Sequence, residues 1–133
     1  MLAERVERLR ALELFAGLDD EALALVASLG AEVDAAAGTV LTHPKQPGTG
    51  MFVIETGQAV AQLRGGKTRA LGPGDCFGEL ALLTAAGERT ARVRARTELR
   101  YFAIARDDFQ ELLTREPRIA VALLRVLASR LAE

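Results

Sequence analysis

The sequence predicts an α+β fold in which a small antiparallel β-roll or barrel is held between helices at the two ends of the chain. Three observations lead there. Near both termini apolar residues recur at three- and four-residue spacing, as one face of a helix requires. Between residues 32 and 105 the texture changes to short alternating runs, the period of a strand with one buried face. Glycine and proline punctuate that middle stretch at intervals near 8–12 residues, which is the spacing of short strands joined by tight turns. Helices, then strands, then helices make an α+β order.

A first helix is expected over 2–13, where Leu2, Val6, Leu9 and Leu12 share a face and Glu4 and Arg8 form a pair on the exposed side. Phe15 and Leu18 fill the connection. A second helix is expected over 19–29, capped by Asp19, with Asp20 and Glu21 in its first turn and Gly30 at its C-terminal end. The roll spans 32–105, marked by Ala37-Gly38, Gly48-Thr49-Gly50, Thr56-Gly57, Gly65-Gly66 and Gly72-Pro73-Gly74. Gly65-Gly66 suits a two-residue hairpin between Val60–Leu63 and Lys67–Arg69. Asp107 is expected to cap a helix over 107–114, and Pro117 to sit in the first turn of a final helix over 116–132. No internal repeat or low-complexity linker interrupts this order.

The 133 residues suffice for one domain with a real core, half of them apolar and 26% charged. A net charge of −1 offers no broadly basic surface to nucleic acid or an anionic membrane. No apolar run approaches the roughly 20 residues that span a bilayer, and no signal-peptide core is visible. A lone cysteine forms no internal disulfide, which fits a reducing cytoplasm. With one histidine and one cysteine, neither a metal cluster nor a catalytic triad can be assembled, so a non-enzymatic role without a metal is expected. Cys76 beside Phe77 reads as a core thiol. His43 falls in the polar loop His43–Gly48 and reads as solvent-exposed.

The chemistry concentrates in residues 77–91. Glu79 and Arg89 stand ten residues apart across a glycine-bounded segment; one opens a short helical turn over 78–83 and the other opens a strand. A helix N-terminus presents free N–H groups to an anion, and a guanidinium adds a bidentate clamp for phosphate oxygens. A nearby carboxylate repels phosphate but accepts hydrogen bonds from a sugar hydroxyl. Arg89 shares strand parity with Ala91, Val93 and Ala95, while Thr90, Arg92, Arg94 and Arg96 occupy the other, solvated face. An arginine in the buried phase needs an anionic partner, because burying it alone costs several kcal/mol. That partner is either a ligand phosphate or a protein carboxylate such as Glu79 or Glu88. Gly78 lets backbone approach a ligand closely.

Phe77-Gly78-Glu79-Leu80-Ala81-Leu82 and Arg89-Thr90-Ala91, at this spacing, resemble the phosphate-binding cassette of the cyclic nucleotide-binding domain family. The similarity extends over Leu14–Leu18, Gly38, Ile54–Gly57 and Leu71–Phe77. The resemblance implies a jelly-roll-like arrangement of about eight short strands. It implies a non-catalytic sensory module for a cyclic nucleotide, with cyclic AMP favoured over cyclic GMP. Glu79 would hold the ribose 2′-hydroxyl and Arg89 the cyclic phosphate. Amides around Leu80, Ala81, Thr90 and Ala91 would complete the cradle, and the Thr90 hydroxyl is the position tied to base or phosphate contact. Binding would move the terminal helices about a hinge near Phe102–Asp108.

Two departures accompany the match. His43-Pro44-Lys45-Gln46-Pro47 replaces the family's acidic-glycine turn, and the helix with which members commonly close the pocket would lie beyond Leu131. The chain is therefore expected to lack a DNA-reading segment of its own. The final helix has more apolar surface than one contact needs: Ile119, Val121, Leu123, Leu124, Val126, Leu127 and Leu131 surround a narrow polar stripe of Arg118, Arg125 and Ser129. It is either sandwiched between the roll and helix 2–13 or offers a second contact, to another copy or a partner domain. In the latter case the fold would act as an interaction module with a vestigial pocket.

Overall fold

The computed structural model describes residues 2–42, 50–77 and 92–131. The chain opens with α1 (Leu2–Arg10), a 3-10 turn (Glu13–Phe15) and α2 (Asp20–Leu29). Strands β1 (Gly30–Ala35), β2 (Val40–Thr42), β3 (Gly50–Thr56), β4 (Ala59–Gln62), β5 (Thr68–Leu71), β6 (Cys76–Phe77), β7 (Arg92–Ala95) and β8 (Leu99–Ala105) follow. Helices α3 (Arg106–Arg115) and α4 (Pro117–Leu131) close the described chain. The strands form two antiparallel four-stranded sheets, in the orders β1-β8-β3-β6 and β2-β7-β4-β5.

Alternation assigns the faces. On β3, Met51 and Val53 join a core with Leu9, Phe15, Leu23, Val26, Phe109, Leu112 and Ile119, so this face of the first sheet lies beneath the helices. The intervening Phe52 and Ile54 point the other way, into a second core with Ala59, Ala61, Leu71, Val93, Ala95 and Leu99. On β8, Phe102 and Ile104 serve the helical core, while Leu99 and Tyr101 serve the roll interior. The roll is therefore a two-sheet structure with an apolar centre, and its first sheet is buried on both sides.

Several local expectations are corrected. The first helix stops at Arg10 rather than 13, because residues 13–15 tighten into a 3-10 turn that carries Leu14 and Phe15 into the core. Arg8 is not an exposed partner of Glu4; it reaches across to Glu32 on β1. Asp19 does cap α2, accepting from the Ala22 N–H at 2.8 Å. Asp107 does not cap α3: the N-cap is Ala105, and Asp107 lies in the first turn, where a carboxylate still favours the helix dipole. The β4–β5 connection is wider than a two-residue hairpin. Arg64–Gly66 form a 3-10 turn closed by the Leu63 N–H on the Lys67 carbonyl at 2.7 Å, with Gly65 and Gly66 both at φ +78°.

Gly30 ends α2 in an extended conformation, φ −129°, and starts β1, so the roll begins two residues before the expected 32. Glycine is required there by crowding: a Cβ would come within 2.5 Å of both the Phe102 Cζ and the Ala103 carbonyl oxygen. Helix α4 buries Ile119 and Leu123 against the 3-10 turn and α3, and leaves Val121 48% and Leu124 66% exposed. Val121 and Leu124 thus face away from the core.

Gly30→Ala is expected to cost about 1–3 kcal/mol, because the added methyl overpacks a fully buried ring and a strand carbonyl. Denaturant unfolding would read this directly; unchanged stability would mean that β8 yields freely.

Candidate functional site

Gly78, Glu79, Leu80, Ala81, Arg89, Thr90 and Ala91, the short helix over 78–83 and the loop around His43 lie outside the described residues. The frame that carries the 78–91 segment is described. The chain leaves the helix-backed sheet after β6, where Phe77 pairs with Phe52 and Cys76 with Val53. It rejoins the opposite sheet at β7, where Arg92 pairs with Gln62 and Val93 with Ala61. The segment therefore joins the two sheets of the roll.

The lead-in is fixed by the turn Gly72–Asp75. Asp75 Oδ2 accepts from the Gly72 N–H at 2.8 Å, and Gly74 adopts φ +91°. The Gly74 N–H then donates to the Ile54 carbonyl at 2.8 Å, and the Ile54 N–H to the Asp75 carbonyl at 2.9 Å. One side chain thus shapes the turn while two backbone bonds tie it to β3, so β6 starts in a defined register.

On the far side, β7 keeps strict alternation. Val93 and Ala95 are 3% and 1% exposed and face the interior, whereas Arg94 and Arg96 are exposed. Arg92 departs from the solvated face expected of it, being half-buried with its Nε shielded and without a hydrogen bond. Ala59 and Ala61 line β4 opposite, so small apolar side chains lead away from the place where the segment rejoins. Phe52 meets Tyr101 edge-to-face at 5.3 Å between ring centroids, and burial pushes the Tyr101 phenol up. Apart from the half-buried Arg92, these side chains are apolar and carry no formal charge.

The model for the cyclic nucleotide-binding domain matches residues 32–116, well over half the chain. The chain belongs to the cyclic nucleotide-binding domain family. It is 31% identical over 123 residues to a CRP-like cAMP-activated global transcriptional regulator of Mycobacterium tuberculosis, a match that covers 89% of this chain and 54% of the relative. The catabolite activator protein of Thermus thermophilus superposes with a TM-score of 0.76 at 31% identity, covering 90% of this chain and 58% of that one. The regulatory domain of Toxoplasma gondii PKA, co-crystallised with cAMP, superposes at 0.69 with 30% identity, covering 84% and 44%. The chain thus spans about half the length of the regulator it matches.

The family fold is present, with eight strands among the described residues. Cys76 is a buried core thiol, 1% exposed. Among the described residues no three His, Cys, Asp or Glu side chains are grouped to hold a metal ion, and no helix is long and apolar enough to cross a membrane. An open cleft of about 600 Å³ beside Asp34, Thr56, Gly57, Glu98 and Arg100 has two of its charges already paired, since Arg100 Nε donates to Asp34 Oδ1 at 3.0 Å.

One charged cluster escaped the sequence reading. Arg8, Glu32 and Glu55 meet beneath α1: Arg8 Nε donates to Glu32 Oε2 at 2.6 Å, Arg8 Nη2 donates to Glu32 Oε1, and Arg5 Nε lies 3.5 Å from the same oxygen. The signal was available in strand parity, because alternation from Met51 and Val53 places Glu55 on the helix-covered face.

Asp75→Ala removes the acceptor that closes the Gly72 turn and is expected to cost about 0.5–1.5 kcal/mol. Thermal unfolding checks it, and an unchanged Tm would assign the turn to its backbone bonds alone.

Proposed function

We propose that this chain binds a cyclic nucleotide without transforming it, cyclic AMP in preference to cyclic GMP, as a sensory module whose terminal helices respond to occupancy. Family membership supports the ligand class, and the relatives named for cAMP support the choice of nucleotide. The observation that carries the site assignment is the register of β7. Val93 and Ala95 face the closed interior, and the sequence parity that Arg89 shares with them supports assigning it to the same face. Arg92 at the start of β7 is the one half-buried cation among the described residues there, and Arg89 is assigned as the charge that neutralises the cyclic phosphate. Amides of Leu80, Ala81, Thr90 and Ala91 complete the cradle, with Gly78 admitting close approach. Glu79 takes the ribose 2′-hydroxyl, and the Thr90 hydroxyl reaches the base or phosphate.

Transmission follows from the fold. Strand β8 runs into α3 at Ala105–Arg106 with no side-chain cap, within the hinge region Phe102–Asp108. A ligand that favours one packing of α3 and α4 against the roll shifts their population by its differential affinity. A cytoplasmic location fits a sequence with one cysteine, and operator recognition is not assigned to these residues.

Calorimetric titration with cyclic AMP and cyclic GMP tests the reading, with cyclic AMP expected about tenfold tighter, or 1.4 kcal/mol. Arg89→Ala is expected to weaken binding by about 2–5 kcal/mol, roughly thirtyfold or more, with the circular dichroism spectrum unchanged. Glu79→Ala is expected to do the same to a smaller extent. No heat from either nucleotide would overturn the assignment.

A second reading is favoured by one observation, the exposure of Val121 and Leu124 on α4. There the fold serves as an interaction or dimerisation module with a vestigial pocket. Sedimentation separates the two: self-association that ignores nucleotide and disappears in Leu124→Glu supports the second reading.

A further inference from the structure

Glu55 lies on the face of β3 that the helices cover, following Met51 and Val53 of the apolar core, at a register shift between Ile54 and Thr56. Its side chain is 3% exposed, and neither carboxylate oxygen accepts a hydrogen bond. Arg8 Nε is 4.0 Å from Glu55 Oε1, but Arg8 already donates to both oxygens of Glu32. An ionised carboxylate so placed is desolvated without donors in return, beside a second negative charge. A proton resolves both problems, since the acid form gains an O–H donor and the Glu32 carboxylate keeps free lone pairs to accept it.

The surrounding charges are few. Helix α1 contributes Glu4, Arg5 and Arg8; Arg5 is also braced by donating from Nη1 to the Ala27 carbonyl at 3.2 Å. Strand β1 contributes Glu32 and, beyond it, Asp34, while β8 contributes Arg100, which is bonded to Asp34. Strand β6 brings the buried Cys76 thiol opposite Val53.

We propose that Glu55 is a proton-operated latch for α1. Protonated, it donates to Glu32, and the helix stays seated through Arg8 and Arg5. Ionised, it favours any arrangement that admits water, and α1 is the element whose side chain reaches it. The electrostatics agree in direction. Burial first, then the neighbouring Glu32, push Glu55 up from 4.5 to about 7, whereas the Arg8 hydrogen bonds hold Glu32 down to about 2. A carboxyl raised in the folded protein stabilises it fully below about 4.5, and that contribution fades as pH rises towards about 7. Glu32 behaves oppositely, losing its contribution only as pH falls towards about 2, so the two windows do not overlap.

The test is a carbon-13 NMR titration of the glutamate carboxyls in the whole chain, together with amide exchange in residues 5–10 corrected for intrinsic rate. The Glu55 midpoint is expected near 7, and protection of α1 is expected to fall about tenfold or more from about pH 5 to about pH 8. Glu55→Gln, which mimics the protonated acid, is expected to keep α1 protected at the higher pH. Glu32→Gln is expected to lower the Glu55 midpoint, which decides the matter even if Glu55→Gln fails to fold. A Glu55 midpoint below about 5.5, or protection of α1 that ignores pH, would overturn the latch.

Discussion

Strands β3 and β8 are buried on both faces, and every other element is arranged around that constraint. A strand covered on one side only can leave alternate positions polar; these two carry apolar residues on both faces, with Glu55 on β3 and Arg100 on β8 as exceptions. Met51, Val53, Phe102 and Ile104 must be met by helices, and Phe52, Ile54, Leu99 and Tyr101 by a second sheet. The helices at the chain ends are therefore required by the roll, because without them one face of its central strands would lie open. Any rearrangement of α1, α3 or α4 is felt at once by the strands that wall the interior. Coupling between the roll interior and the helices outside needs no more than this shared pair of strands.

The fold was legible because its signals are local and redundant. The Gly72-Pro73-Gly74-Asp75 turn announces itself in four residues, and the structure shows all of it at work. The Asp75 side chain closes the turn, Gly74 supplies the left-handed residue, and two backbone bonds anchor the turn to Ile54. Asp19 was legible for a similar reason, since a cap depends on residues three apart. Family membership was legible in one short cassette and is borne out over residues 32–116.

What sequence reasoning missed depends on contacts between distant residues. Arg8 and Glu4 have the spacing of a helical pair, yet Arg8 turns to Glu32, because tertiary packing offers a shielded bidentate partner in place of a solvated one. Gly30 looked like an ordinary helix terminator, but the reason for it is the Phe102 ring, far along the chain. Glu55 sat in a segment read for its turn and its resemblance; strand parity with Met51 and Val53 could place it on the covered face, but the partners Arg8 and Glu32 emerge only when β3 is laid against α1 and β1. The candidate binding residues 78–81 and 89–91 lie outside the described residues, so the parity of Arg89 with Val93 and Ala95 is an expectation from the period of two alone.

The order in which the strands alternate between the sheets bears on how the chain reaches its native state. Strand β1 finds its partner only when β8 has been made, with Gly30 opposite Ile104 and Ala35 opposite Leu99. During synthesis α1, α2 and β1 emerge before β8, and the edge of β1 that pairs with it must wait for that strand. Pairings that close such long loops are slow to form and expose unpaired edges in the interval. Nascent or partly unfolded chains are thus most prone to wrong intermolecular pairing along β1, while the completed roll offers that edge to β8 alone.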